Sequence, residues 1–194
     1  MYYQTHFKKT YLYILSVFCA LLTVLSLLGK AGESTRTASA PENYKLTVLM
    51  YHSVCVNRRV NSEYVLLPEK FRADMDYLSE HGYTFVSLSR IYDVYTGKGS
   101  LPEKAVALTF DDGFLNNLTC VLPILREHSI CANINPVGSY TEKNSLLHDR
   151  NASYANLTWE DITELKNSGL IEIGSHTWDM HALGSRKGCS RKKG

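Results

Sequence analysis

No internal repeat of fixed period, no C-x-x-C pair and no large excess of one charge sign occur in these 194 residues. The missing repeat excludes an architecture stacked from copies of one unit. Five cysteines are present, but none has the close Cys/His spacing of a zinc knuckle. Cys19 falls in an apolar run, whereas Cys120 and Cys131 read as small apolar residues packed in a helix and a strand. The formal net charge is only +2. From residue 31 onward 18 basic residues accompany 19 acidic ones, and five of those basic residues lie in the last nine positions. The body between is acidic, which argues against a nucleic-acid partner.

What is present begins with an uncharged apolar run at 11–29. At ~1.5 Å per helical residue it comes close to the ~30 Å hydrocarbon core of a bilayer. Lys8 and Lys9 precede it, so residues 1–10 are expected to stay cytoplasmic and the rest to be exported. The expectation is a single-pass anchor in the cell membrane, with secretion after signal cleavage as the alternative. Ala38-Ser39-Ala40 has the A-x-A form of a cleavage site but lies well past the run. Residues 30–43, rich in Gly, Ser, Thr, Ala and Pro, read as a flexible stalk. Residues 44–194 are left as one extracytoplasmic domain.

That domain alternates strand and helix patterns. The run 46–51 is apolar and β-leaning, and so is expected to be a buried strand. Pro68 opens a helix with Phe71, Met75 and Leu78 on one face, and Gly82 closes it. Strands are expected at 83–88, 105–110, 130–136 and 170–174, with a short helix at 89–95. A helix over 115–128 carries Pro123, which predicts a kink. Thr158 and Asp161 resemble a capping box, and Gly169 ends the helix they open. Such alternation implies an α/β fold with a parallel sheet, either a barrel or a doubly wound sheet. In both, chemistry gathers at the carboxyl ends of strands. His52, Asp111, Asp112 and His176 each lie just past such an end.

Two adjacent carboxylates after a buried strand are costly unless their charge is compensated. Their side chains point in different directions, so one can bind a cation while the other faces the reacting atoms. Gly113 permits the tight turn this needs. Taken alone, Asp112-Gly113 reads more readily as an ordinary loop turn or helix N-cap. His176 and His181 shift the balance, because a loop leaving a strand lets both imidazoles converge. Asp112, His176 and His181 would supply three ligands to a divalent ion and leave a position for water. Zn is expected first, with Co and Ni as alternatives. Three Asn-x-Ser/Thr sequons, at Asn117, Asn151 and Asn156, are read as chance.

The segment Val106-Ala107-Leu108-Thr109-Phe110-Asp111-Asp112-Gly113-Phe114 resembles the first motif of the polysaccharide deacetylase (NodB-homology, carbohydrate esterase family 4) superfamily. Glu172-Ile173-Gly174-Ser175-His176-Thr177-Trp178-Asp179-Met180-His181 resembles the second, with its histidines one residue further apart than usual. A similar spacing marks the subgroup that deacetylates poly-β-1,6-N-acetylglucosamine. The resemblance implies a distorted (β/α) barrel, metal ligands Asp112, His176 and His181, and Asp111 as base. Metal-activated water would then attack the acetamide carbonyl of a cell-wall or extracellular polysaccharide. Leu49-Met50-Tyr51-His52 resembles the strand that supplies the fifth-motif histidine in permuted relatives, making His52 a candidate general acid. The third and fourth motifs have no counterpart here, so the barrel is expected to be incomplete at its C-terminus. The alternative function is a truncated, inactive remnant that only binds polysaccharide. No obligate protein partner is implied.

Overall fold

The computed structural model describes residues 45–56 and 64–180. The run 11–29, the stalk 30–43, His181 and Cys189 therefore lie outside the described residues. Strand β1 (Leu46–Tyr51) leads to two short strands, β2 (Ser53–Val54) and β3 (Val65–Leu66), which pair with each other in parallel. Helix α1 (Pro68–Glu80), β4 (Thr84–Phe85), α2 (Leu88–Tyr95) and the long β5 (Ala105–Asp112) follow. A π-helical turn (Asn117–Val121) runs into α3 (Leu122–His128) and then β6 (Ala132–Pro136). Last come α4 (Gly138–Leu147), α5 (Trp159–Asn167) and β7 (Ile171–Ile173).

Strand β5 is the axis of a five-stranded parallel sheet. Along one edge it pairs β1, with Leu46 beside Ala105 and Tyr51 beside Phe110. Its other edge is shared. Strand β4 takes the beginning, at Ala105 and Val106, and β6 takes the end, from Thr109 to Asp112. Strand β7 then pairs β6. Among the described residues the sheet is open, and these strands do not close a barrel.

The alternation of β5 buries both of its faces, as a parallel strand requires. Val106, Leu108 and Phe110 join Ile134, Phe71, Met75, Leu122 and Leu125 in the main core. Ala105 and Ala107 face the other way, under Leu88 and Ile91 of α2. Beyond α2 that second face turns polar, presenting Thr109 and Asp111. Tyr51, Phe71 and Phe110 form an aromatic triad beneath the two aspartates, with centroids 5.2–5.6 Å apart. Such pairs contribute about 0.5–1.5 kcal/mol each beyond area burial.

Local chemistry explains most boundaries. Helix α1 starts at Pro68 and buries Phe71, Met75 and Leu78, while Gly82 turns out at φ 73°. Helix α5 has the full reciprocal capping box of Thr158 and Asp161. The expected kink at Pro123 takes the form of the π-helical turn. Pro123 has no N–H to donate to residue 119, and the Leu122 N–H reaches back to the Asn117 carbonyl instead.

Three expectations need correction. Among the described residues strand β1 is an edge, not a buried strand: Val48 and Met50 are 52% and 60% exposed because α2 covers only the start of their face. The strand expected at 83–88 shrinks to two residues, since Ser87 caps α2 by accepting from the Arg90 N–H. Helix α4 was not expected at all. Its buried side chains include the polar Thr141 and Asn144, so it carries no apolar stripe at helical spacing. Cys120 and Cys131 are free thiols. Burial pushes the Cys131 thiol up, in keeping with a packing role.

Candidate active site

The carboxyl ends of β1, β5 and β7 bring His52, Asp111, Asp112 and His176 to one end of the sheet. Strand β5 runs through Asp111 and Asp112 rather than stopping before them. Asp112 then takes φ 68° and Gly113 φ 69°. An aspartate in the left-handed region is sparse but tolerated, and such strain gathers at functional turns. Gly113 is required twice over. Besides its φ, a Cβ there would lie 2.7 Å from Pro136 Cβ and 2.8 Å from Pro136 Cα.

This turn separates the two carboxylates. Asp111 stays on the polar sheet face, where its Oδ1 accepts from Asn135 Nδ2 at 2.9 Å. Asp112 is buried, and its Oδ1 lies 3.7 Å from His176 Nε2. Two atoms each ~2.1 Å from one ion can be at most about 4.2 Å apart, so these two donors fit a shared divalent cation. His181 lies outside the described residues, and among those residues no three His, Cys, Asp or Glu side chains converge.

The His176 loop is tied down from the backbone. Its own N–H donates to the Pro136 carbonyl at 3.0 Å, extending the β6–β7 pairing past Gly174. The first turn of α4 then takes up the loop, with Gly138 and Ser139 N–H donating to the Thr177 and Trp178 carbonyls. Those are N–H groups that a helix leaves unpaired at its start. Ser139 Oγ also donates to Asp179 Oδ1 at 3.2 Å. Thr177 takes φ 67°, a second left-handed residue beside a candidate ligand.

His52 follows Tyr51, whose register partner is Phe110, and so stands one strand from Asp111. Its ring tilts against Tyr64 with centroids 4.9 Å apart. Both line a cleft of about 420 Å³ with Met50, Leu66 and Asp74. Tyr51 donates to Asp74 Oδ2 at 3.2 Å, and burial together with that carboxylate pushes the phenol well above its ordinary range. Glu172, within the second motif, serves elsewhere. It accepts from Ser89 N–H at the start of α2, where a carboxylate suits the helix dipole. Burial opposes its charge, but the Ser89, Ser87 and Leu88 donors outweigh that and hold its carboxyl below the usual range.

The scaffold rests on asparagines that sequence reasoning passed over. Asn116 is fully buried, accepts from Val54 N–H at 3.0 Å, and donates to Ser53 Oγ and the Ala152 carbonyl, both at 2.9 Å. Asn117, also fully buried, donates to the His52 carbonyl at 2.9 Å. Together they lock the His52 segment to the residues that follow Asp112. Asn156 donates to the Asp112 carbonyl at 3.2 Å, and Leu157 N–H to the Gly113 carbonyl at 2.8 Å. One signal was legible: two consecutive asparagines are poor helix formers where a helix was expected.

Residues 98–193 match the family described as polysaccharide deacetylase. The poly-beta-1,6-N-acetyl-D-glucosamine N-deacetylase of Escherichia coli (strain K12) is 36% identical over 118 residues, covering 57% of this chain and 17% of that protein. Among solved structures, a de-N-acetylase from Aggregatibacter actinomycetemcomitans superposes with a TM-score of 0.62 at 32% identity. The likeness covers 71% of this chain and 56% of that one. IcaB from Ammonifex degensii gives a TM-score of 0.62 at 30% identity, covering 75% and 58%. The chain thus spans less than two thirds of the length of each. Residues 98–193 contain the turn after β5 on which the two carboxylates part, and in sequence this stretch matches a polysaccharide deacetylase domain, with de-N-acetylases as its structural neighbours.

Proposed function

We propose that this protein is a metal-dependent polysaccharide N-deacetylase acting on an N-acetylglucosamine polymer, of the poly-β-1,6-N-acetylglucosamine kind. One observation carries the reading: Asp112 and His176 approach to 3.7 Å at the strand ends while Asp111 is turned away and held separately. Asp112 and His176 would hold the ion, with His181 as the third ligand. A divalent ion there supplies Lewis acidity, lowering the pKa of water from 15.7 towards about 7 and polarising the acetamide carbonyl. Asp111 takes the proton of the attacking water, for which an ionised carboxylate at hydrogen-bond reach is suited. His52, across the strand ends, gives a proton to the departing amine. The products are acetate and a free glucosamine amine, which places a positive charge on the polymer.

The same reading includes a distorted (β/α) barrel, supported by the all-parallel order β1-β5-β6-β7. It also includes a membrane anchor at 11–29, supported by the uncharged run behind Lys8 and Lys9. Among the described residues no helix is long and apolar enough to cross a membrane.

The test uses the full chain. Bound divalent metal is measured after dialysis, and acetate release is followed on β-1,6-linked N-acetylglucosamine oligomers. Stoichiometric metal and acetate release are expected. A folded chain that takes up no metal would overturn the site. Uptake without acetate release would favour the polysaccharide-binding reading.

A further inference from the structure

Asp111, Asn135 and Gly174 form a row across three adjacent strands. Asp111 and Asn135 are register partners on β5 and β6. Gly174 follows β7, and its N–H donates to the Ile134 carbonyl at 2.9 Å, which sets it beside Asn135. The row presents a carboxylate, an amide and then no side chain. That vacancy is used: a Cβ on Gly174 would overlap Asn135 Oδ1 and come within 3.3 Å of Asn133 Oδ1.

The chemistry of the contact fixes its direction. An ionised carboxylate can only accept, so the amide must turn Nδ2 to Asp111 and Oδ1 to the space over Gly174. The 2.9 Å contact is charge-assisted, and so among the stronger kinds of hydrogen bond. It holds Asp111 Oδ1 and restricts rotation of the carboxyl plane, leaving Oδ2 as the oxygen that can take a proton. A base held in one orientation does not have to find it again at each turnover.

We propose that Asn135 is a positioning residue for Asp111, and that Gly174 is glycine so that the Asn135 amide can reach it. The role given to Asp111 rests on the deacetylase reading above. In this role Asn135 acts through Asp111, the group its Nδ2 reaches. Its loss therefore lowers the rate of the chemical step while leaving ground-state binding alone.

Five variants test this in the full chain: Asn135→Leu, Asn135→Asp, Asn135→Ala, Gly174→Ala, and Asn135→Ala combined with Gly174→Ala. Asn135→Leu is expected to lower kcat roughly 10–100-fold, with KM and bound metal unchanged. Asn135→Asp keeps the shape but sets an acceptor against Asp111, and is expected to lose at least as much. Gly174→Ala displaces the amide and should reproduce the loss. In the Asn135→Ala background the same Gly174→Ala change should cost little more, because the overlapping amide is gone and only the 3.3 Å approach to Asn133 Oδ1 remains. A second readout is independent of turnover. The Asn135 side-chain amide protons, assigned by NMR, should lie downfield and move when Asp111 is replaced by leucine.

An unchanged kcat in Asn135→Leu, in a wild type that releases acetate, would overturn the positioning role and leave the deacetylase reading intact. A joint fall of kcat, metal content and melting temperature in all five variants would assign Asn135 to structure alone and overturn it equally. An amide resonance that ignores Asp111 would do the same. A wild type that binds metal but releases no acetate would defeat the deacetylase reading, and the role given to Asn135 with it.

Discussion

Gly113 is packed so closely on Pro136 that even one added carbon would come within 2.8 Å of its backbone. The contact joins the end of β5 to the end of β6, and so sets how the two aspartates leave the sheet. Gly113→Ala combines a left-handed φ with an overlap that no rotamer can relieve. The first costs about 1–2 kcal/mol and the second about 1–3 kcal/mol. Urea denaturation should show the sum, and bound metal should fall with it. A variant of wild-type stability would show that this approach is not rigid.

Asn116 is the knot between the first motif and the segment carrying His52. Removing its side chain leaves the Val54 N–H, Ser53 Oγ and Ala152 carbonyl to find new partners in a buried place. Asn116→Ala is expected to cost roughly 2–4 kcal/mol. Hydrogen exchange at the Val54 amide should accelerate more than exchange in β6. Equal acceleration everywhere would point to global loss rather than a local knot.

Asp161 couples stability to pH. Burial works against its charge, but Arg150 at 2.6 Å and the Thr158 donors win, holding its carboxyl below the ordinary range. A carboxylate depressed by folding stabilises above its unfolded pKa, and the contribution is lost as pH falls through its folded pKa. Asp161→Asn should therefore cost about 1–3 kcal/mol at pH 7, with the deficit narrowing below about pH 3.9. Chemical denaturation at a series of pH values between 7 and 3 checks it. A deficit that stays constant across that range would rule out the coupling.

The two aspartates should separate by function. Asp112→Ala and His176→Ala are expected to lose bound metal, whereas Asp111→Asn should keep metal and lose turnover. Metal analysis beside acetate release decides between them. Identical behaviour of Asp111→Asn and Asp112→Ala would defeat the division of roles.

The edge position of β1 has a plain consequence for stability. Val48→Thr, on its exposed face, should change stability by less than about 0.5 kcal/mol. Leu108→Ala, in the middle of β5, should cost about 2–5 kcal/mol. Comparable costs at the two positions would mean that the β1 face is covered after all.

The core strands and four of the helices, α1, α2, α3 and α5, could be read from the chain because their signals are local. Pro68 with Phe71, Met75 and Leu78, or Thr158 with Asp161, act within a few residues. Helix α4 could not be read, since it packs Thr141 and Asn144 inward. Nor could the burial of β1, because whether an apolar strand has a second neighbour depends on residues far along the chain. Asn117 and Asn156 looked like chance sequons, yet each holds a carbonyl at the site.

By itself, the sequence determined which candidate residues fall at strand ends: two carboxylates at the end of an apolar run, a glycine after them, and His176 past a later strand. Strand-end placement follows from hydrophobic patterning, which each segment carries internally. Only the tertiary structure decided the rest. It set Asp112 against His176 and Asp111 against Asn135, because register across parallel strands joins residues 24 to 64 positions apart. It also turned ordinary asparagines into the scaffold of the site. A buried amide gains meaning only from the carbonyl or carboxylate that folding brings to it.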